Sequence, residues 1–311
     1  MVFSEKRDCE IWAIGGGKGG VGKSFIISSM GNYLASKGKK VILIDADFGG
    51  ANLHTFLGIS KPKFTLTDFF DNKLPLHELI VESHIENLGL LIGTIGSLAP
   101  DSMKYTQKLK LFRHVEGLDT DYILIDLGGG THFNTIDTFL LADKMLVAVV
   151  PEIIAIENVY YFLKNILFRK LVHVLGAHGL KHVVRDAWEN RGECNVKNFK
   201  QLIDHLTGMS ESIGRIITEE LSRFTIYIIL NQIRTQQDVM IGNSIKSICI
   251  KYFGFNAQYV GYVEHDDFIS MCVNKRRPFM ETYPTSRCAK EIERLTDNLL
   301  EGRHLRLRTQ V

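Results

Sequence analysis

Residues 17–24, Gly-Lys-Gly-Gly-Val-Gly-Lys-Ser, combine glycines, lysines and a serine in an order suited to holding phosphate. They satisfy the spacing G-x-x-x-x-G-K-[ST] and place an additional lysine, Lys18, directly after the first glycine. Glycines at this density let backbone N–H groups close around phosphate oxygens where a Cβ would intrude. Lys23 then supplies a point charge for the β and γ phosphates, and the Ser24 hydroxyl is a ligand for Mg²⁺. Ile11-Trp12-Ala13-Ile14 ahead of the loop is a short apolar run of strand type, and Phe25 to Ala35 behind it has helix length, ending near Gly38. Strand, glycine loop and helix in that order are the setting the pattern requires, and the helix N-terminus adds attraction for anions. A nucleoside triphosphate site is predicted, against the plainer reading of a glycine-rich turn.

Two more chemical clusters follow later apolar runs. Asp45-Ala46-Asp47-Phe48-Gly49-Gly50 comes after Val41-Ile42-Leu43-Ile44. Two carboxylates one residue apart can divide two tasks, one holding magnesium through water and the other orienting or deprotonating an attacking water. A capped turn is the alternative. Asp126-Leu127-Gly128-Gly129-Gly130 comes after Tyr122-Ile123-Leu124-Ile125. An aspartate at the end of such a run supports Mg²⁺ from behind its direct ligands, and the glycines let backbone approach a γ-phosphate. That segment is a candidate switch, ordered by triphosphate and released by hydrolysis.

The elements that must position these groups are legible from apolar runs. Strands are predicted at 10–15, 40–45, 88–93, 121–126, 144–150, 225–231 and 258–263, and helices at 24–37, 102–117, 155–169, 235–253 and 286–301. Several strands are apolar on both faces, which marks a mostly parallel sheet between helix layers: an α/β, three-layer architecture. In such sheets ligands sit beyond the carboxyl ends of the strands, where the clusters above fall. Residues 170–223 break the alternation, carrying helix-like spacing at Leu202, Ile203 and Leu206 and at Ile213, Ile216 and Ile217. They read as a helical insertion within a single domain spanning 1–311.

Bulk properties narrow the class further. The 311 residues are 45% hydrophobic and 23% charged with net charge +2, ordinary globular values that make nucleic acid no obligatory partner. No apolar run approaches a membrane span, and the N-terminus lacks the apolar stretch of a secretory signal. Five scattered cysteines, Cys9, Cys194, Cys249, Cys272 and Cys288, fit reduced thiols in a cytoplasmic protein and argue against structural zinc. His178 and His182 stand four apart and could share a helix face, more as a packed or solvated pair than a metal site. The basic tail 302–311 could touch an anionic lipid surface transiently.

Gly17 to Ser24, Asp45-x-Asp47 and Asp126-x-Gly128-x-Gly130 together resemble the deviant Walker A ATPases of the MinD/ParA group, a P-loop NTPase fold. Asn52-Leu53, Pro151-Glu152 with Ile156-Glu157-Asn158, and Asn231-Gln232-Ile233-Arg234 look most like the MinD and FlhG/FleN branch. The resemblance implies ATP and Mg²⁺ as cofactors, an ATP-dependent homodimer, a protein partner and a role in spatial positioning of a division site, flagella or other cargo. Lys18 would reach across the homodimer to the partner's phosphates. Lys23 and Ser24, with Gly17, Gly19, Gly20, Val21, Gly22, Phe25 and Gly128 around them, would hold phosphate. Ser24, Asp45 and Asp126 would surround the metal, and Asp47 would serve the attacking water. Asn231 would hydrogen-bond the adenine, and Arg234, Glu264 and Asp266 would belong to the base and ribose side. Hydrolysis would be slow without dimerisation or a stimulating partner, and the protein cytoplasmic or peripheral at the cytoplasmic face of the inner membrane. Two departures stand out: Glu264 occupies a position where the family often has proline, and the C-terminal amphipathic membrane helix of MinD has no clear match.

Two other readings use the same loop and fold. An ATP-dependent iron–sulfur carrier or reductase component of the Mrp type needs cysteines that bridge a dimer, for which Cys272 and Cys288 are the candidates. An ATP-dependent ligase of the cobyrinate-amidase or dethiobiotin-synthase type would use residues 170–223 to build a substrate pocket.

Overall fold

In the computed structural model the described residues are 9–47, 52–60, 64–72, 74–93, 111 and 113–305. Eight strands form one sheet: β1 (Glu10–Gly15), β2 (Val41–Ala46), β3 (Val81–Glu82), β4 (Leu88–Ile92), β5 (Tyr122–Leu127), β6 (Lys144–Val149), β7 (Thr225–Ile233) and β8 (Asn256–Glu264). Their order is β3-β4-β2-β5-β1-β6-β7-β8. Every pairing is parallel except β3 with β4. All seven predicted strands are present, within a residue or two at their ends in most. The two-residue β3 carries too short a pattern to read.

Continuous apolar runs are buried on both sides, as β1, β2, β4, β5 and β6 show residue by residue. Trp12, Leu43 and Leu124 share a register and therefore one face. Helix α1 (Lys23–Ser36) lies there, with Gly31 close against Leu43 and Leu124. Gly15, three residues beyond Trp12, faces the other side. Phe139 of α4 (Phe133–Phe139) and Phe162 of α5 (Ile153–Ala177) press on it. The sheet thus lies between helix layers. Between these helices come α2 (Leu53–Phe56) and α3 (Leu66–Asp71).

Register also aligns the chemistry. Asp45 pairs with Asp126, and Asp126 with Ile14, so three strands end level with one another. The glycine loop leaves β1 at that level, at the carboxyl edge where open sheets bind ligands.

Residues 170–223 are helical, with one change of boundary. Helix α5 runs 25 residues, about 37 Å, and absorbs residues 170–177 before Gly179 turns the chain at φ 77. His178 therefore caps α5 while His182 lies on α6 (Lys181–Glu189), so the two do not share a helix face. Helices α7 (Phe199–Met209) and α8 (Glu211–Ser222) start on side-chain caps from Asn198 and Ser210. Leu202, Leu206, Ile213 and Ile217 are buried, as their spacing predicts, and Ile203 and Ile216 pack partly buried beside them.

The predicted helix 235–253 is α9 (Gln236–Ile248) followed by a wide turn through Phe253. Helices α10 (Asp267–Asn274) and α11 (Phe279–Thr282) precede α12 (Arg287–Leu300), the predicted 286–301 element. Of the predicted helix 102–117, Leu111 and residues 113–116 are helical and residues 101–110 and 112 lie outside the described residues.

Candidate functional site

The loop 16–22 is shaped by close contacts that a side chain would not survive. A Cβ on Gly17 would sit 2.1 Å from the Asn158 carbonyl oxygen of α5. Gly20 and Gly22 adopt φ of 79 and 86, the left-handed region that favours glycine. Gly22 is the N-cap of α1, so the first N–H groups of α1 open toward the loop. Gly19 and Gly20 are exposed and Val21 is buried.

Lys23 is 7% exposed, and burial pushes its ammonium below the usual lysine range while Asp126 and Asp47 pull it back up. Ser24 Oγ donates to Asp126 Oδ2 at 2.5 Å. The Asp126 carboxyl is pushed up to about 7, first by burial, with Asp45 and Asp47 adding to the rise and the Ser24 hydrogen bond opposing it. Its Oδ1 is buried without a hydrogen-bond partner. A carboxylate oxygen without a hydrogen-bond partner beside a serine hydroxyl is an oxygen donor set that suits a hard divalent cation, while Lys23 supplies charge for phosphate. The residues fit Mg²⁺ on that ground.

Asp45 is fully buried, accepts the N–H groups of Leu53 (2.8 Å) and Asp47 (3.2 Å), and is pushed up to about 6 by burial. Its carboxylate thus holds the Asp47 and Leu53 backbone amides. Asp47 is half-buried and lies against Gly128, where an added Cβ would approach Asp47 Oδ1 to 3.0 Å. Gly129 in turn packs on the loop, with room for no Cβ beside the Gly19 nitrogen (2.7 Å). The three clusters read from sequence therefore meet in one place. Residues 48–51 of the second cluster lie outside the described residues.

Lys18 points outward, 45% exposed in its side chain, and pairs with Glu152 at 3.5 Å. Phe25 is buried edge-on against Phe279 at 5.4 Å. Asn231 is buried and gives its Nδ2 to the Val21 carbonyl at 2.9 Å, while its Oδ1 has no partner. The exposed Arg234 uses its backbone N–H on Asp238 (3.0 Å), within the cap of α9. Glu264 accepts from Arg287 at 3.1 Å, and Asp266 caps α10 through the Phe268 N–H at 2.9 Å.

Three contacts were not foreseen from sequence. Gln232, at φ 58, reaches the Gly20 carbonyl at 3.4 Å. Asn158 offers its backbone to Gly17, and Glu152 meets Lys18. Gln232, Glu152 and Asn158 stood inside the phrases that carried the resemblance, but nothing in their spacing marks such contacts. Cys272 and Cys288, the cysteines an iron–sulfur reading needs, are buried at 4% and 1% exposure.

The fold and the loop define a P-loop nucleotide-binding protein. Residues 9–173 match the AAA domain family. The chain belongs to that family, as a P-loop ATPase of the MinD/ParA type. It is 26% identical to septum site-determining protein MinD of Helicobacter pylori, covering 91% of this chain and 88% of that protein. It is 23% identical to the antiactivator FleN of Pseudomonas aeruginosa, over 90% of this chain and 82% of that protein. Against MinD of Thermotoga maritima identity rises to 36%, over 46% of this chain and about half (52%) of that relative. Among solved structures, MinD in the MinC:MinD cell division complex of Aquifex aeolicus superposes with a TM-score of 0.63 at 20% identity, covering 96% and 98% of the two chains. MinD of Pyrococcus horikoshii, complexed with Mg-ADP, gives 0.61 at 19% identity over 94% and 98%. These relatives do not favour the iron–sulfur or ligase readings.

Proposed function

We propose that this chain binds Mg·ATP, pairs with a second copy of itself around it, and hydrolyses it to ADP and phosphate as a positioning switch. The observation that carries the reading is the buried Lys23 set beside Ser24 and the open Asp126 oxygen, at the mouth of a glycine loop. Lys23 and the loop amides of 17–25 hold the triphosphate. Ser24, Asp126 and Asp45 would hold the cation, which would supply positive charge against the triphosphate. Asp47, whose backbone amide Asp45 holds, orients a water against the γ-phosphorus. The water's proton passes toward Asp47 as the bond to the β–γ bridging oxygen breaks, releasing ADP. Gly128 and Gly129 follow the γ-phosphate with their backbone and are free to move once it leaves.

Lys18 completes the site in trans. Its exposed ammonium exchanges Glu152 of its own chain for the partner's phosphates, a weak pair given up for a stronger one. Hydrolysis is then slow in the lone chain and rises with concentration or with a protein partner. Asn231, Arg234, Glu264 and Asp266 line the base and ribose side. We read residues 1–311 as one such domain, with the helices of 170–223 as its insertion. Among the described residues no helix is long and apolar enough to cross a membrane. The likeness to MinD supports a cytoplasmic protein in transient, peripheral contact with the cytoplasmic face of the membrane.

The test is Lys18→Ala. The variant should bind ATP within about threefold of the parent, lose ATP-dependent pairing and turn over about 10²-fold or more slowly, as for loss of a transition-state charge contact. Unchanged pairing and turnover in that variant would falsify the trans role.

A further inference from the structure

Helix α12 buries a stripe made of Cys288, Ala289, Ile292, Leu295, Thr296 and Leu299, and within it a carboxylate, Glu291, only 6% exposed. A carboxylate in such a stripe costs desolvation that packing does not return, so its partner matters. That partner is the backbone N–H of Glu264, which Glu291 Oε2 accepts at 2.7 Å. Glu264 is the last residue of β8, where the strand ends and the segment 264–267 begins.

The same segment is fastened elsewhere. Arg287, one turn before Glu291 on α12, holds the Glu264 carboxylate at 3.1 Å. The His265 N–H donates to the Ile233 carbonyl at 2.9 Å, and Ile233 adjoins Gln232 and Asn231, whose amides grip the carbonyls of Gly20 and Val21. A chain of hydrogen bonds therefore runs from α12 through Glu264 and His265 to the phosphate loop.

We propose that Glu291 is a positioning residue for the base end of the nucleotide: from α12 it fixes the Glu264 amide, and with it the height at which segment 264–267 faces the base. It touches no nucleotide atom and acts only through that segment. The inference rests on the reading of 264–267 as the base side of the site. It predicts that Glu291 governs how much the adenosine moiety adds to binding and leaves the triphosphate grip alone.

Competition binding with ATP and with inorganic triphosphate, both with Mg²⁺, separates the two. The parent prefers ATP. Glu291→Met fills the volume without an acceptor and leaves the buried amide unpaired; it should cut the ATP preference about tenfold while triphosphate affinity stays within about twofold. Glu291→Gln keeps a carbonyl acceptor and should restore the preference. If Glu291→Met fails to fold, Glu291→Ala carries the same expectation, and Glu291→Gln must still match the parent. The proposal is overturned if the preference survives without an acceptor, if both ligands weaken together, or if glutamine fails to rescue. A parent that binds both ligands equally well sinks instead the base-side reading beneath it.

Discussion

Replacing Gly22 by alanine tests the geometry of the loop more sharply than any other single change. Gly22 sits at φ 86, ψ 24 as the N-cap of α1, a left-handed conformation that costs an L-residue about 1–2 kcal/mol. Its new Cβ would fall 2.0 Å from Asn231 Nδ2, so the amide must move. Asn231 is 3% exposed, and moving it breaks the 2.9 Å bond to the Val21 carbonyl inside the protein. A buried polar group stripped of its partner costs about 1–3 kcal/mol. The two contributions predict a loss of about 2–5 kcal/mol in urea unfolding at unchanged m-value. Pairing Gly22→Ala with Asn231→Ala removes the collision and leaves the conformational cost. The double variant should therefore be more stable than the sum of the singles by about 1 kcal/mol or more. Gly22→Ala within about 0.5 kcal/mol of the parent, or strict additivity in the cycle, would refute this reasoning.

Other consequences follow from groups away from the phosphate. Asp137 of α4, 5% exposed, takes two hydrogen bonds from Arg169 of α5 (2.6 and 2.9 Å), and the same guanidinium lies over the Phe133 ring at 5.2 Å. Arg169→Met should cost about 1–3 kcal/mol in thermal or urea unfolding by leaving the buried carboxylate to His173 at 3.5 Å, and adding Asp137→Leu should recover most of it. Burial raises the Glu291 carboxyl to about 7, with Glu264 adding to the rise and the Glu264 N–H, Arg294 and Arg287 opposing it. The folded state therefore holds this proton more tightly than the unfolded chain, and its contribution to stability declines as pH climbs from the ordinary glutamate range through about 7. Glu291→Gln should match the parent near pH 4 and be more stable by about 3 kcal/mol near pH 8, as urea titrations at the two pH values would read. A parent whose stability relative to Glu291→Gln does not change with pH contradicts this.

The site was legible where chemistry is written as spacing. Glycines, lysine and serine in one octet, and aspartates at the ends of apolar runs, name their own elements because strand ends and helix starts are local. That Asp45 stands level with Asp126 depends on β2 lying beside β5 in that register, which spacing along the chain does not record. What stayed hidden was non-local. That Gln232 would turn to φ 58 and reach Gly20, or that Glu291 would enter the core to hold a strand end, depends on how β7, β8 and α12 stack. No periodicity records that. The boundary at 170 was misplaced for a related reason. Helical apolar spacing continues past Phe168 through Leu171, Val172 and Leu175 despite Gly176, and the left-handed Gly179 follows the helix end. The pair His178 and His182 was split by the same glycine.

The central claim is that the triphosphate itself joins two copies of the chain. Sedimentation velocity of the parent protein, titrated over a wide concentration range with saturating Mg·ATP and again with Mg·ADP, measures that directly. A reversible shift toward twice the monomer mass should appear with ATP alone. A single monomeric species at every concentration in both nucleotides would contradict it.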